Sequence, residues 1–183
     1  MIEIMTIEEA KLQNPALLCP QEILDHQVLF PVQFHSFDGQ IHQGQIMLDT
    51  DLRNDIEELF ELILKEKFPI QSAIPIAHPI FHWDDELSME ANNTSAFNYR
   101  YISGTSKLSN HAFGKAIDIN PLQNPFIKDG IVHPQGAIYN TTKPGTIIAD
   151  SFIVVFMKSR GWAWGGDWDN NKKDYQHFAK HSC

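Results

Sequence analysis

The pattern of apolar and polar positions predicts an antiparallel hairpin near the start of the chain. Residues 28–48 form two extended runs, and the dipeptide Asp38-Gly39 between them is a strong tight-turn signal. Such a turn reverses the chain direction and sets the two runs side by side. We therefore expect residues 28–48 to form a β-hairpin.

A helical period replaces this pattern in residues 50–68. The apolar side chains there recur at the spacing of one buried helix face, and they are Leu52, Ile56, Leu59, Phe60, Ile63 and Leu64. Thr50 or Asp51 is available as the N-terminal cap, and Pro69 should end the helix.

A second helix is predicted within residues 146–162. Lys158 and Arg160 suit its C-terminal end, and Gly161 is a natural stop. Before it, residues 92–139 are rich in Asn, Gly, Pro and Ser, a composition typical of short strands joined by long functional loops.

Length and composition favour a single α+β domain. The 183 residues are 43% hydrophobic, enough to bury a core, and no repeat or linker divides them. We expect residues 1–183 to form one domain. Its hairpin and first helix should occupy approximately residues 1–90, and the segments with candidate chemistry approximately residues 91–183.

Charge and cysteine content exclude several classes of protein. With 23 acidic and 14 basic residues the formal net charge is −9, and no run of Lys or Arg occurs, which argues against nucleic acid or an anionic membrane as partner. No apolar segment is long enough to span a bilayer, and residues 1–20 carry acidic side chains where a signal peptide carries basic ones. Cys19 and Cys183 are too few for a disulfide framework, and their pairing stays open. The net charge fits a small neutral or zwitterionic substrate better than it fits nucleic acid or an anionic membrane.

Two segments carry candidate chemistry. In LSNHAFGKAIDIN, residues 108–120, His111 and Asp118 stand among small and apolar residues. Taken alone, this segment fits two interpretations equally well: a functional site, or a buried core histidine that is hydrogen-bonded to an aspartate. Near the other end, Asp174 precedes His177 by three residues. Two imidazoles and one carboxylate are ligands of the kind that catalytic zinc uses, and a further carboxylate can take a proton from water.

The other histidines offer weaker alternatives. His177 and His181 are spaced to share a helix face, but the metalloprotease form of that motif requires Glu directly after the first His, and Phe178 stands there. His133 lies in a loop that can border a cleft without supplying a ligand. Five histidines lack partner spacing and are interpreted as surface or locally bonded residues: His26, His35, His42, His78 and His82.

Both segments fit a longer ordered pattern. The pattern S-x-H-x-x-G-x-A-x-D occurs as Ser109, His111, Gly114, Ala116 and Asp118, and an acidic residue three before a His-Phe pair occurs as Asp174, His177 and Phe178. Related segments are DDELSMEANNTSAFNYR before the first motif, INPLQNPF after it and GWAWGGDW before the second. In this order the chain resembles the zinc D-alanyl-D-alanine carboxypeptidases of the LAS group, which share a fold with the hedgehog signalling domain.

The resemblance implies a fold and a metal site. It implies an α+β fold in which a small antiparallel sheet carries the zinc ligands and packs against helices. His111, Asp118 and His177 would bind one zinc ion per chain. Ala179 stands where the family often has a glutamate, which affects a supporting contact and not the three ligands.

The resemblance also implies roles for other residues. Asp174 would act as general base and then as general acid, and Arg100 would stabilise the oxyanion, unless it forms only a surface salt bridge. Ser109 would either hold the substrate or hydrogen-bond the backbone. Gly114 suits a tight turn or a close approach of two elements, where a Cβ is unfavourable. The tryptophans of residues 162–168 are interpreted as core or pocket wall.

The function implied by the resemblance is zinc-dependent hydrolysis of peptide bonds in bacterial peptidoglycan stem peptides, in first place removal of D-Ala from D-Ala-D-Ala. The alternatives are an endopeptidase of the L-Ala-D-Glu type and a non-catalytic cell-wall-binding module with the same fold. Action on the cell wall implies a periplasmic or extracellular location, although no signal peptide is visible. The sequence leaves the bond that is cut, the origin of the protein and its oligomeric state open.

Overall fold

The computed structural model describes residues 4–12, 14–168 and 171–180. Its helices are α1 (Ile7–Ala10), α2 (Gln21–Asp25), α3 (Arg53–Lys65), α4 (Asp85–Glu90) and α5 (Phe152–Ser159). Its strands are β1 (Gln27–His35), β2 (Ile41–Asp49), β3 (Ser72–Ala73), β4 (Asn93–Thr94), β5 (Ala116–Asp118), β6 (Phe126–Lys128), β7 (Ile131–His133), β8 (Ala163–Trp164), β9 (Lys172–Asp174) and β10 (His177–Ala179). Short 3₁₀ turns occupy Thr50–Leu52, Asn110–Phe113 and Gly165–Asp167.

The predicted hairpin is confirmed. Strands β1 and β2 pair antiparallel from Gln27 opposite Asp49 to His35 opposite Ile41. At the turn the Asp38 carboxylate accepts a hydrogen bond from the Gln40 N–H at 2.8 Å, and Gly39 has the positive φ of 76° that such turns require.

Helix α3 is also confirmed, but its cap is not the predicted one. The buried residues of the helix are those of the predicted face: Ile56, Leu59, Phe60 and Ile63. Neither Thr50 nor Asp51 caps the start. Instead the 3₁₀ turn Thr50–Leu52 precedes the helix, and the Asp49 side chain caps this turn by accepting from the Asp51 N–H at 2.9 Å, while Leu52 precedes the helix without a side-chain cap bond.

Helix α5 is shorter than the segment predicted for it. Ser151 caps its start by accepting a hydrogen bond from the Val154 N–H at 3.4 Å. Residues 146–150 stay outside the helix because the loops use their backbone groups: the Ile147 N–H donates to Asn124 Oδ1, and the Ile147 carbonyl accepts from the Tyr139 hydroxyl. The predicted stop at Gly161 is confirmed by its φ of 80°.

The main core joins both halves of the chain. Buried residues of the hairpin and α3 pack in one cluster with residues of β5, α5 and β10, among them Phe30, Ile56, Ile117, Val154 and Phe178. Two small three-stranded antiparallel sheets lie beside it, with strand orders β5-β10-β8 and β7-β6-β9. The arrangement agrees with the predicted α+β class, apart from one parallel pair, β3 with β4. None of the described helices has the length and apolar content to cross a bilayer.

Adjacent valines on α5 offer a test of this core. Val154 is fully buried, whereas Val155 is 59% exposed. We expect Val154→Ala to lower the free energy of unfolding by about 1–3 kcal/mol, because it removes buried methyl groups and leaves a small cavity. The matched variant Val155→Ala should change it by less than about 0.5 kcal/mol. Urea denaturation measures both, and equal losses would contradict the packing described for α5.

Candidate active site

Asp118 and His177 face each other across a pair of strands. They are direct partners in the antiparallel pairing of β5 with β10, so both side chains leave the same face of the sheet. His177 Nδ1 lies 2.9 Å from Asp118 Oδ1. The pairing thus brings together two residues that lie far apart in sequence.

His111 reaches the same point from a short 3₁₀ turn. Ser109 caps this turn by accepting a hydrogen bond from the His111 N–H at 3.3 Å, and Gly114 ends it with a φ of 67°. A Cβ at Gly114 would collide with the Gln27 side chain and the backbone N of Asp49. Gly114 is therefore required both by its conformation and by the close approach of the hairpin, as its position in the sequence suggested.

The backbone fixes the orientation of the His111 ring. His111 Nδ1 lies 2.5 Å from the carbonyl oxygen of Ala96, which can only accept, so Nδ1 carries the hydrogen and Nε2 presents its lone pair. The same segment also pairs with Asp118, since the Ser95 N–H donates to the Asp118 carbonyl at 3.1 Å. The Asn98 N–H donates to the His111 carbonyl at 3.0 Å. The segment of residues 95–98 thus orients both His111 and Asp118.

The three side chains form a compact set of donors. His111 Nε2 lies 3.2 Å from His177 Nδ1 and 3.2 Å from Asp118 Oδ2, and within the described chain this trio alone brings three candidate metal donors so close, all within 4.8 Å. A tetrahedral zinc ion with bonds of 2.0–2.1 Å separates its ligand atoms by about 3.3 Å. The spacing and the donor types therefore fit a zinc ion.

The charges of the cluster favour a bound cation. Burial acts to raise the pKa of Asp118, but the neighbouring His111 and His177 hold it well below its ordinary value. Burial acts to lower the pKa of His177, yet the hydrogen bond and charge of Asp118 outweigh this and raise it. Negative charge thus prevails around the imidazoles, and a divalent cation can take the place of the proton.

Asp174 lies beside the cluster at the end of β9. Its Oδ1 is buried and has no hydrogen-bond partner in the described chain. Burial raises the pKa of Asp174 to about 6, with His177 acting against this rise and Asp118 adding to it. A carboxyl group with such a pKa can both accept and return a proton near neutral pH.

Gly165 allows this position of Asp174, a contact that the sequence alone did not indicate. A Cβ at Gly165 would overlap the carbonyl oxygen of Asp174. The Gly-Gly pair at residues 165–166 was the available signal for a close backbone approach.

Arg100 is held near the cluster by a carboxylate on α4. Its Nη2 lies 2.9 Å from Asp85 Oδ2, and the Asn98 side chain donates to Asp85 Oδ1 at 3.1 Å. The positive charge of Arg100 acts to lower the pKa of His177, and its buried Nε lacks a partner among the described residues. The ion pair that was predicted as an alternative thus exists, and it places the arginine toward the cluster. Sequence reasoning missed Asp85, because nothing in the spacing links it to Arg100.

The tryptophans divide between core and pocket wall. Trp162 and Trp164 are buried in the core, and their ring N–H groups donate to Asp55 and to the Tyr175 carbonyl. The ring of Trp168 is half-buried and its centre lies 5.6 Å from that of His177. Trp168 is therefore the tryptophan that borders the site.

The alternative histidine pair, His177 with His181, does not share a helix face. His177 lies on strand β10, so it does not share a helix face with a residue four positions later. His181 itself and Cys183 lie outside the described residues. His133 is exposed on β7.

Comparison with known proteins agrees with this arrangement. A family model described as D-alanyl-D-alanine carboxypeptidase matches residues 103–180, the span that holds His111, Asp118, Asp174 and His177. This part of the chain is similar to the D-alanyl-D-alanine carboxypeptidase family. No curated protein and no solved structure matches the chain.

Similarity to the D-alanyl-D-alanine carboxypeptidase family supports a metallopeptidase. The match begins three residues after Arg100 and also leaves out the hairpin and α3. Within it, the structure brings the three candidate ligands together and sets Asp174 beside them. Ser109 is buried and its hydroxyl is bonded to the backbone, which corresponds to one of the two roles expected for it.

Ser109→Ala separates these two roles. If the Ser109 hydroxyl only caps the turn that carries His111, the variant should lower the free energy of unfolding by about 0.5–2 kcal/mol and leave peptide hydrolysis near its wild-type rate. Ser151→Ala is the matched control, because Ser151 caps α5 by the same kind of bond. Thermal unfolding and steady-state kinetics are measured on both variants. A tenfold fall in kcat/KM confined to Ser109→Ala would assign the hydroxyl to the substrate.

Proposed function

We propose that the protein is a zinc peptidase that cuts peptidoglycan stem peptides, in first place by removing the last residue from D-Ala-D-Ala. The convergence of His111, Asp118 and His177 carries this proposal, because the donor set and its spacing suit zinc. We propose further that residues 1–183 act as one domain with the hedgehog-type fold of the family. The resemblance of the motifs supports this, together with the core shared by both halves of the chain.

Zinc at this site would supply two effects: it polarises a carbonyl group, and it lowers the pKa of water to about 7. The protein supplies the geometry. His111 keeps Nε2 free through its bond to the Ala96 carbonyl, and strand pairing holds Asp118 against His177. Ligands fixed in this way do not have to reorganise during the reaction.

Asp174 transfers the proton from the attacking water to the departing amine. As a carboxylate it takes a proton from the attacking water, and as a carboxylic acid it gives this proton to the departing amine. Its pKa of about 6 suits both steps, and its buried Oδ1, which has no hydrogen-bond partner among the described residues, would bond to the water and then to the amine. Gly165 keeps the backbone of β9 close enough for this position.

Arg100 stabilises the negative charge that develops on the scissile carbonyl oxygen. Its guanidinium is always charged, and Asp85 restrains it, so the positive charge is in place before the reaction begins. A non-catalytic module would be expected to lack the arginine, the base or a ligand, and this chain has all of them. The presence of the full set favours the enzyme.

Digestion of a defined peptide tests the function. A zinc-loaded sample, given a stem peptide ending in D-Ala-D-Ala, should release free D-Ala, while the all-L peptide should resist. His111→Ala should lose zinc and activity together, because two ligands bind the metal weakly. His26→Ala, at an exposed histidine outside the cluster, is the matched control and should keep both.

Product masses and elemental analysis decide the outcome. Release of a tail that still contains both D-Ala residues would identify the endopeptidase alternative instead. Equal cleavage of L- and D-peptides would contradict both, and a His111→Ala protein with tight zinc would remove His111 from the site.

Asp174→Asn separates base from ligand. This variant should keep one zinc per chain but lose about 10²–10⁴-fold in kcat, since its amide cannot accept the proton of water. Asp167→Asn is the control, because Asp167 is exposed and its carboxylate pairs with Lys158. Metal content and kcat are measured for both. An Asp174→Asn protein that is purified without metal would make Asp174 a ligand.

A further inference from the structure

The sheet that carries Asp174 has a face that continues beyond it. In the order β7-β6-β9, Phe126 lies opposite both Asp174 and His133, and Lys128 lies opposite Lys172. Direct partners share a face of an antiparallel sheet, and so do residues two apart on one strand. These five side chains therefore leave the same face, with the proposed general base at one corner.

Aromatic rings connect this face to the metal donors. The ring of Trp168 lies beside His177, with 5.6 Å between their centres, and Lys172 Nζ lies 4.3 Å from the centre of the Trp168 ring. The same Nζ lies 5.6 Å from the centre of the Phe126 ring. The ammonium group of Lys172 is thus held between two rings, one of which borders the candidate metal site.

The charges on this face are unbalanced. Lys128 and Lys172 are direct cross-strand partners, and like charges at such positions destabilise a sheet. Neither lysine takes part in an ion pair within the described chain. Lys173 follows Lys172 on β9 and faces the other side of the sheet, where its Nζ donates to the Gly166 carbonyl at 3.0 Å. A bound anion would relieve the repulsion between Lys128 and Lys172.

We propose that Lys172, with Lys128 behind it, binds the C-terminal carboxylate of the peptide substrate. This proposal rests on the proposed peptidase function and names the part of the substrate that is recognised. The ammonium of Lys172 lies between the two rings on an exposed part of the sheet, where a carboxylate can reach it. A peptide advances about 3.3–3.6 Å per residue, so the carboxylate of the single residue after the scissile bond lies a few ångströms from the cut, within reach of a lysine side chain beside the Trp168 ring.

Phe126 gives the subsite its apolar component. It lies between Asp174 and His133 on the sheet, where the small side chain of the departing residue can rest against its ring. A site with one fixed cation and one apolar wall selects a short residue that ends in a free carboxylate. The lysine pair therefore favours removal of a terminal residue over cleavage deeper in the chain.

A pair of peptides tests the subsite. The substrates are the same stem peptide ending in D-Ala-D-Ala as the free acid and as the C-terminal amide. Zinc-loaded wild-type protein should prefer the acid, and Lys172→Met should lose about 10–100-fold in kcat/KM on the acid, mainly through KM, with little change on the amide. Lys128→Met should show a smaller loss. Lys65→Met, at an exposed lysine at the end of α3, is the control and should match the wild type.

Binding separates failure of the subsite from failure of the function. The affinities of both peptides are also measured on Asp174→Asn protein, with and without Lys172→Met, so that the preference is read without turnover. Wild-type cleavage with an acid preference that survives Lys172→Met would overturn the subsite and leave the peptidase intact. If no peptide is cleaved, the proposed function fails. The subsite is then decided by binding alone: tighter binding of the acid than of the amide, lost in Lys172→Met, supports it, and equal binding of both peptides overturns it.

Discussion

The register between β5 and β10 is the constraint on which the site depends. Ile117 and Phe178 are partners in this register, and both are fully buried in the main core. Because strand residues alternate between faces, the next pair, Asp118 and His177, must turn the other way. A slip of one residue would turn the apolar pair out of the main core and put the carboxylate and the imidazole in its place. The hydrophobic core thus sets the spacing of two candidate metal donors.

Support for the site extends outside the matched family segment. The hairpin meets the first motif at Gly114, whose carbonyl accepts from the Asp49 N–H at 3.1 Å. Arg100 and its partner Asp85 also precede residue 103, where the match begins. The charge that would stabilise the oxyanion is therefore positioned by a part of the chain that the family model does not cover. That part shares the core with the motifs, so packing links its position to the site.

Strong local patterns were readable from the sequence, and weak or long-range ones were not. Helix α3 was predictable because its apolar face repeats over several turns, whereas α4, Asp85–Glu90, is too short to show a period. The order of the motifs identified the cluster residues. Asp85 and Gly165 were missed because their roles arise from contacts between distant segments: an ion pair in one case, and in the other a backbone approach that leaves no room for a Cβ. The start of α5 was misplaced because loop contacts use the backbone of Ile147.

Two carboxylates near one another acquire opposite properties from their surroundings. Asp118 is buried but lies beside the imidazoles of His111 and His177, which outweigh the burial, so its pKa is lowered and it stays negative, as its proposed role as a metal ligand requires. Asp174 has a buried oxygen with no hydrogen-bond partner among the described residues, and burial raises its pKa to about 6, as its proposed role in proton transfer requires. Environments that push the pKa values of neighbouring acids apart distinguish the proton carrier from the charge that stays fixed. Sequence spacing alone could not make this distinction, because it depends on which oxygen atoms find hydrogen-bond donors after the chain has folded.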